Sequence, residues 1–330
     1  VDLTRPIDIT AVNDTRIEYG DLLKGLNTLM AQDILQDCFP ALGIQHSRMV
    51  GNVEHGTILS KYDGIFHGDK KIGTLVPRVL TVYPVVAEMS DEPERYRNTF
   101  IADVAGNLWA KNLPFELWLI QFGISVASEE LYYSLFPAKR NEGAGHKSVN
   151  DSFDGWFTVI DDDITAGRIS AANHNLYADG PITRANAGDY LLAMWRSRHE
   201  TLRNKATTLW MSEDVGDLYD DWYRDEHDSP PNIDTAGQQF LDGSNGRVRV
   251  RRTGAIPTGS QRVFITTRPN MLYGTDKLED MKAMQAFNSG NPYRFTAAMK
   301  FVFGTQFASV NEREFAVNDR SGSGSGSTSA

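Results

Sequence analysis

The residues best equipped to do chemistry are carboxylates. Asp217, Asp220, Asp221, Asp225, Glu226 and Asp228 crowd around Tyr219, Trp222 and His227, and Asp161, Asp162 and Asp163 are consecutive. Hard divalent cations need several oxygen ligands, so both runs are candidates for metal-assisted hydrolysis. Spacing argues against both. The first group surrounds Val215, Leu218, Tyr219 and Trp222, an apolar stripe at helical period that turns most of the acids to water. In the second, an extended chain would send neighbours to opposite sides, so a turn or cap role fits better. The seven histidines are scattered, and His199-Glu200 has Arg203 where the second ligand of a His-Glu-x-x-His pair would stand. His199 is expected at a core edge instead. Gly143-Ala144-Gly145-His146-Lys147-Ser148 lacks the spacing of a phosphate loop and reads as a surface loop, and no Gly-x-Ser-x-Gly elbow occurs. No catalytic, cofactor-binding or metal-ligating residue is assigned, and no cofactor is expected.

The elements that would position any such group belong to an ordinary folded chain. With 330 residues, 41% hydrophobic and 23% charged, it can bury a real core. A net charge of -10 makes it a poor candidate for gripping nucleic acid over its whole surface. Cys38 is the only cysteine, which excludes an intrachain disulfide and a thiolate zinc site. No apolar run is long enough to span a membrane. The opening residues VDLTRPIDITAVND have neither a positive stretch nor an apolar one, so no signal peptide is expected. The initial Val fits Met removal, an offset start or processing of a longer precursor.

Residues 1–45 mix polar and apolar text, with Leu22, Leu26, Leu29 and Met30 at helical spacing and Pro40 as a stop. From 46 to 76, glycines at 51, 56, 64, 68 and 73 punctuate short β-prone runs, with a turn at His67-Gly68-Asp69-Lys70. This predicts a two-stranded projection with about 14 residues per arm, able to reach ~45 Å. A strand is predicted over Arg78–Val86. Ser90-Asp91-Glu92-Pro93 then reads as a helix start, followed by an amphipathic stripe of Ile101, Val104, Ala105 and Leu108. Further helical pieces follow, through Leu117, Ile120 and Ile124 and over Ser128–Leu135.

Residues 138–181 read as loops around a short strand at Trp156–Ile160. A helix after Thr183 carries Leu192, Trp195, His199 and Leu202 on one face. Thr207–Met211 reads as a strand, and Ser212 caps the acidic helix. Arg247–Arg252 alternates as a strand with one basic face, suited to DNA, an acidic neighbour or the chain's own acids. Arg262–Thr267 is a further strand. Near the end, Ala297, Met299, Phe301 and Phe303 recur at every second residue, the period of a strand with one buried face. The Ser/Gly run after Ser321 is a flexible coil, either a natural extension or an engineered linker.

In this order the pieces resemble the major capsid proteins of tailed bacteriophages, the Hong Kong 97 fold. Four blocks carry the resemblance: an N-terminal arm with the long hairpin; a strand leading into SDEPERYRNTFIADVAGNLW, similar to the family's spine helix, with Glu129-Glu130 trailing it; RANAGDYLLAMWRSRHETLRNKATTLWMSEDVGDLYDDW, similar to the start of its axial domain; and a late strand with EREFAVND returning to the peripheral domain. The resemblance implies an α+β fold divided into an arm at 1–45, an extended β-hairpin loop at 46–76, a peripheral domain with the spine helix at 77–180, an axial domain at 181–290, return strands at 291–319 and a tail at 320–330.

The implied function is a structural, non-enzymatic subunit that self-assembles into an icosahedral virion shell of pentamers and hexamers around double-stranded DNA. Assembly would take place in the host cytoplasm, with portal, scaffold and cement proteins as partners and no membrane. Some family members cross-link a hairpin lysine to a neighbour's asparagine. Lys61, Lys70 and Lys71 lie in the hairpin, yet none matches that chemistry, so no active site is carried over. Open alternatives are an encapsulin-type compartment on the same fold, a phage decoration or tail protein, and a carboxylate-metal hydrolase.

Overall fold

The computed structural model describes residues 30–56, 58–62, 70–92, 95, 115–143, 145, 148–229, 238–278, 280, 284–287 and 294–320. The expected arm before Met30, the hairpin turn at 67–69, the core of the SDEPERYRNTFIADVAGNLW helix and the tail from Ser321 lie outside them. In chain order the elements begin with α1 (Met30–Leu35), β1 (Phe39–Ala41), β2 (Ser47–His55), β3 (Gly73–Thr81), β4 (Tyr83–Asp91) and α2 (Phe115–Ser134). Next come α3 (Trp156–Thr165), β5 (Leu176–Tyr177), α4 (Ala187–Arg196), α5 (Glu200–Asn204), β6 (Thr207–Ser212) and α6 (Glu213–His227). The chain continues through β7 (Gln239–Phe240), β8 (Val248–Thr253), β9 (Phe264–Thr266), β10 (Met271–Gly274), β11 (Gln285–Phe287), β12 (Phe295–Phe307) and β13 (Phe315–Asn318).

Strand β12 is the backbone of the first sheet. It runs 13 residues, with buried and less buried positions alternating along most of its length, as the spacing of Ala297, Met299, Phe301 and Phe303 predicts. It pairs antiparallel with β10 and β11, and with β4 over nine positions from Phe295↔Asp91 to Phe303↔Tyr83; β1 adds in parallel to β10. The second sheet runs β5-β13-β9-β6-β8-β7. Its alternating side chains feed two separate cores. Trp210, Phe264, Phe315 and Val317 join the aromatic cluster of α2, α3 and β12, whereas Leu209, Met211, Ile265 and Ala316 pack beneath α4 and α6.

Several expectations change. Trp156–Ile160 is not a strand but the first half of α3, and Asp161–Asp163 continue that helix; a short apolar run is ambiguous by period alone. Ser90 and Asp91 end β4 rather than cap a helix, because β12 is long enough to pair with them. The strand predicted at Arg78–Val86 is two strands that part at Val82. The two helical pieces after Pro114 are one continuous α2. The helix after Thr183 divides into α4 and α5, and His199 is the N-cap of the second, with Nδ1 accepting from the Thr201 amide at 3.1 Å. The EREFAVND strand pairs with β9 and with β5 at Leu176–Tyr177 in the second sheet, and its Phe315 and Val317 join the core of α2, α3 and β12. Residues 30–45, read as part of an arm, contribute Ile34, Leu35, Cys38, Ala41 and Ile44 to the cores.

Strands β2 and β3 form their own two-stranded ladder, nine pairs from Ser47↔Thr81 to His55↔Gly73, so the projection is real but its second arm extends to Thr81. Two features root it. Where β3 turns into β4, Thr81 and Val82 cross over the Gly274↔Gly304 pair of β10 and β12. A Cβ on Gly304 would stand 2.1 Å from the Thr81 carbonyl oxygen, so only glycine admits that crossing. Just above it, Arg78 is buried against Asp163 of α3. Its Nη2 donates to Asp163 Oδ2 at 2.6 Å and to Gln306 Oε1 at 2.7 Å, and its Nη1 to Asp163 Oδ1 at 3.3 Å. Arg168 Nε donates to the same carboxylate at 2.6 Å, while Gln306 Nε2 donates to the Val79 carbonyl at 3.0 Å.

Breaking a buried, hydrogen-bonded ion pair from one side strands the other charge and costs about 3–5 kcal/mol. Arg168 still pairs with Asp163, so Arg78→Met is expected to lower unfolding free energy by less than that, about 1–3 kcal/mol in denaturant titration, and Gly304→Ala by about 1–3 kcal/mol through overpacking. An unchanged midpoint for Arg78→Met would show that Arg168 alone satisfies Asp163.

Candidate functional site

The hairpin presents the clearest candidate surface, and its cross-strand register explains why. Residues directly opposite share a face. On one face lie Arg48/Leu80, Val50/Arg78 and Asn52/Val76, of which Arg78 and Leu80 are buried against the body. On the other lie Met49/Val79, Gly51/Pro77 and Val53/Leu75. The four large apolar side chains of that second face are 67%, 52%, 46% and 60% exposed for Met49, Val79, Val53 and Leu75. Toward the tip Ile58, Leu59, Tyr62 and Ile72 are exposed as well. The segment holds its path with Gly56 N donating to Ile72 O at 2.9 Å and Lys70 Nζ to Leu59 O at 2.7 Å. Met49, Val79 and Leu75 on this face are each more than half exposed among the described residues, which marks an interaction surface.

A second apolar surface lies on the body. Phe122, Val126 and Tyr133 are 47%, 39% and 49% exposed on α2. Between α2 and β4 runs a cleft of about 480 Å³ lined by Val86, Met89, Phe122, Val126, Met284 and Phe295. Sequence reading did not single out this cleft, because its walls come from segments far apart in the chain.

The carboxylate runs have other work. On α6, Asp225 takes two hydrogen bonds from Arg184, at 2.7 and 2.9 Å, and these hold its carboxyl below the usual range. Asp220 is paired with Arg252 and accepts from Gln239 Nε2 at 2.9 Å; Asp214 accepts from the Gly259 amide at 2.6 Å. Tyr219, buried beneath them, is pushed up to about 12 by that burial. Within 161–163 the helix sends the three acids apart. Asp163 goes to Arg78 and Arg168, Asp161 pairs with Arg262 at 2.7 Å, and Asp162 is raised by burial and then by the nearby Asp154. Among the described residues no group of three or more His, Cys, Asp or Glu side chains is arranged to hold a metal ion. The basic strand is committed too. Arg249 and Arg251 face Asp37 and Asp33, and Arg252 faces Asp220. Ser212 caps α6 as its sequence suggests, its Oγ accepting from the Val215 amide at 3.3 Å.

No protein-family model matches the sequence, and no curated protein matches it either. Solved structures do match. The chain is similar to a subunit of the satellite phage P4 procapsid with its size determination protein, with a TM-score of 0.53 and 12% identity over 87% of this chain and 94% of that one. It is similar to a subunit of the cyanophage A-1(L) capsid, with a TM-score of 0.53 and 11% identity over 87% and 92%. A subunit of the native GTA particle capsid aligns with a TM-score of 0.50 and 10% identity over 89% and 90%. At these identities the shared property is the path of the backbone, and coverage of both chains is nearly complete. This mixed α+β chain therefore has the fold found in phage capsid structures.

Proposed function

We propose that the protein is the structural, non-enzymatic subunit of an icosahedral virion shell that encloses double-stranded DNA. The observation that carries this reading is the hairpin: a nine-pair ladder whose Met49, Val79 and Leu75 are more than half exposed among the described residues, joined to the body by a buried ion pair, in a fold found in phage capsid structures. A monomeric protein gains nothing from that exposure, whereas a closed assembly buries it in every copy. In this reading β2–β3 is the extended loop, and the first sheet with α2 and α3 is the peripheral unit. The second sheet with α4 and α6 is the axial unit gathered around ring axes. Residues 30–45 belong to the body through α1 and β1 rather than to an arm.

Pentamers and hexamers would meet through the hairpin stripe resting on a neighbour's α2 and the α2–β4 cleft beside it, apolar on apolar. Portal, scaffold and cement proteins would be further partners, with assembly in the host cytoplasm. The net charge of -10 suits a wall that does not trap packed DNA, and contact with it would be independent of sequence. The partnered state of the carboxylates disfavours the hydrolase alternative, since ligands engaged by arginines are poor metal donors.

Electron microscopy and sedimentation of the purified chain are expected to show closed particles or rings far larger than one subunit. Particles filled with protein cargo and free of nucleic acid would favour a compartment over a virion. A stable monomer whose hairpin amides are protected from exchange would sink the shell reading.

Met49→Asp with Leu75→Asp is expected to abolish particles while the free subunit's melting midpoint stays nearly unchanged. Surface substitutions away from buried features usually move stability by no more than about 0.5 kcal/mol. Particle yield equal to that of the unsubstituted chain would show that the stripe is not an assembly contact.

A further inference from the structure

Residues 33–38, near the start of the described chain, are fastened to the rest of the fold mainly by side chains. The described part of helix α1 runs from Met30 to Leu35. One side of this stretch, Ile34 and Leu35 with Cys38 just beyond, is buried in the aromatic core near α2. The other side is gripped by β8. Arg251 Nη2 lies 2.6 Å from Asp33 Oδ1 and donates to the Asp33 carbonyl at 3.0 Å, and its Nε makes an ion-pair contact with Asp37 Oδ2 at 3.2 Å. Arg249 Nη1 donates to Asp37 Oδ1 at 3.3 Å, and Arg268 Nη2 to the Gln36 carbonyl at 2.6 Å. The backbone bonds of Asp37 and Cys38 are local, to Ile34 and Leu35. The first strand ladder with the body starts only at Phe39, where β1 meets β10.

That division marks a hinge. We propose that residues 30–38 form a detachable strap that lifts from the body as one unit, hinged at Phe39, without global unfolding. The clamp of Arg249 and Arg251 on Asp33 and Asp37 sets how often it opens. Lifting bares the trough that Ile34 and Leu35 fill. The inference rests on the clamp geometry and does not depend on the shell reading. Ion pairs at a partly exposed seam are weakened by salt, so ionic strength is the natural control.

Cys38 provides a reporter. It is the only thiol in the chain, it is 5% exposed, and it sits at the inner end of the strap. In the intact chain, its labelling by a thiol reagent is expected to outpace global unfolding and to speed up between low salt and about 0.5 M. Hydrogen exchange over 30–38 should rise in parallel while peptides of β12 keep their protection. Arg249→Gln with Arg251→Gln should raise the labelling rate roughly tenfold, and Asp33→Arg combined with Arg251→Asp should recover part of the loss caused by Arg251→Asp alone. Labelling that tracks β12 exchange under every condition, or that ignores both salt and the substitutions, overturns the proposal. Should the double variant fail to fold, the salt series on the unsubstituted chain decides by the same two outcomes.

Discussion

A guanidinium taken largely out of water must be answered by a carboxylate, and that requirement at Arg78 fixes the register of the hairpin on the body. Arg78 and Asp163 are 7% and 1% exposed as side chains, and Gln306 ties the same group to β12. Such a pair adds little net stability over a well-packed apolar alternative. Its effect is to specify register. A slip of one residue in a strand moves every side chain to the opposite face. Were β3 to slip, Arg78 would turn to solvent and Val79 and Pro77 would turn inward, leaving Asp163 buried with Arg168 as its sole cation. The pair therefore decides which face of the ladder is covered by the body and which is left for something else.

The crossing over Gly274 and Gly304 works with it. Without side chains on those two residues, the chain passes from β3 to β4 directly across the β10–β12 pair, and Leu80 and Val82 drop into the small core formed with Ala41, Ile44 and Leu272. The hairpin is thus held by a short apolar root and one ion pair, while most of its length makes its own hydrogen bonds. Deeper in the body, the second sheet acts as a partition. Because its strands alternate, Trp210 and Phe264 stack on one side, with ring planes 8° apart, and Leu209 and Ile265 pack on the other. Helix α3 reaches both regions, offering Trp156 and Phe157 to the aromatic core and Asp163 to the hairpin root.

How much of this was legible depended on whether the deciding interaction was local. The alternation of β12 was readable because one-faced burial leaves a period of two. Ser212 was readable as a cap because the bond it makes lies three residues away. The Gly-rich text at 46–76 announced a ladder, but nothing local marked its far end, since Val76 and Val79 differ only in what lies above them. Trp156–Ile160 reads as a strand by composition, and became a helix because Phe136 and Phe264 offer rings to pack Trp156 and Phe157 against. The cap-like Ser90-Asp91 lost to a cross-strand ladder more than 200 positions away. The candidate interface was half visible: the exposed stripe follows from strand alternation, whereas the α2–β4 cleft exists only once distant segments meet. The arginine partners of the acids could not be named in advance, because they lie on other elements of the fold.

An exposed apolar ladder is a hazard as well as an opportunity, and the strength of its contact matters for both. Covering a large apolar side chain fully is worth about 1.5–3 kcal/mol, so four that are already about half covered offer roughly 3–6 kcal/mol in total. Losing translational and rotational freedom costs an amount of the same order or larger. One hairpin contact is therefore too weak to hold two copies together by itself, and two subunits meeting in a wrong orientation would separate again. The balance changes when contacts act together, because a subunit already held on one side meets the next contact at high effective concentration. A closed symmetric arrangement supplies such repeated contacts, and an unrelated pair of subunits does not. In the proposed shell, placing the stripe on a narrow arm at a register fixed by Arg78 would favour the complete assembly over the accidental dimer.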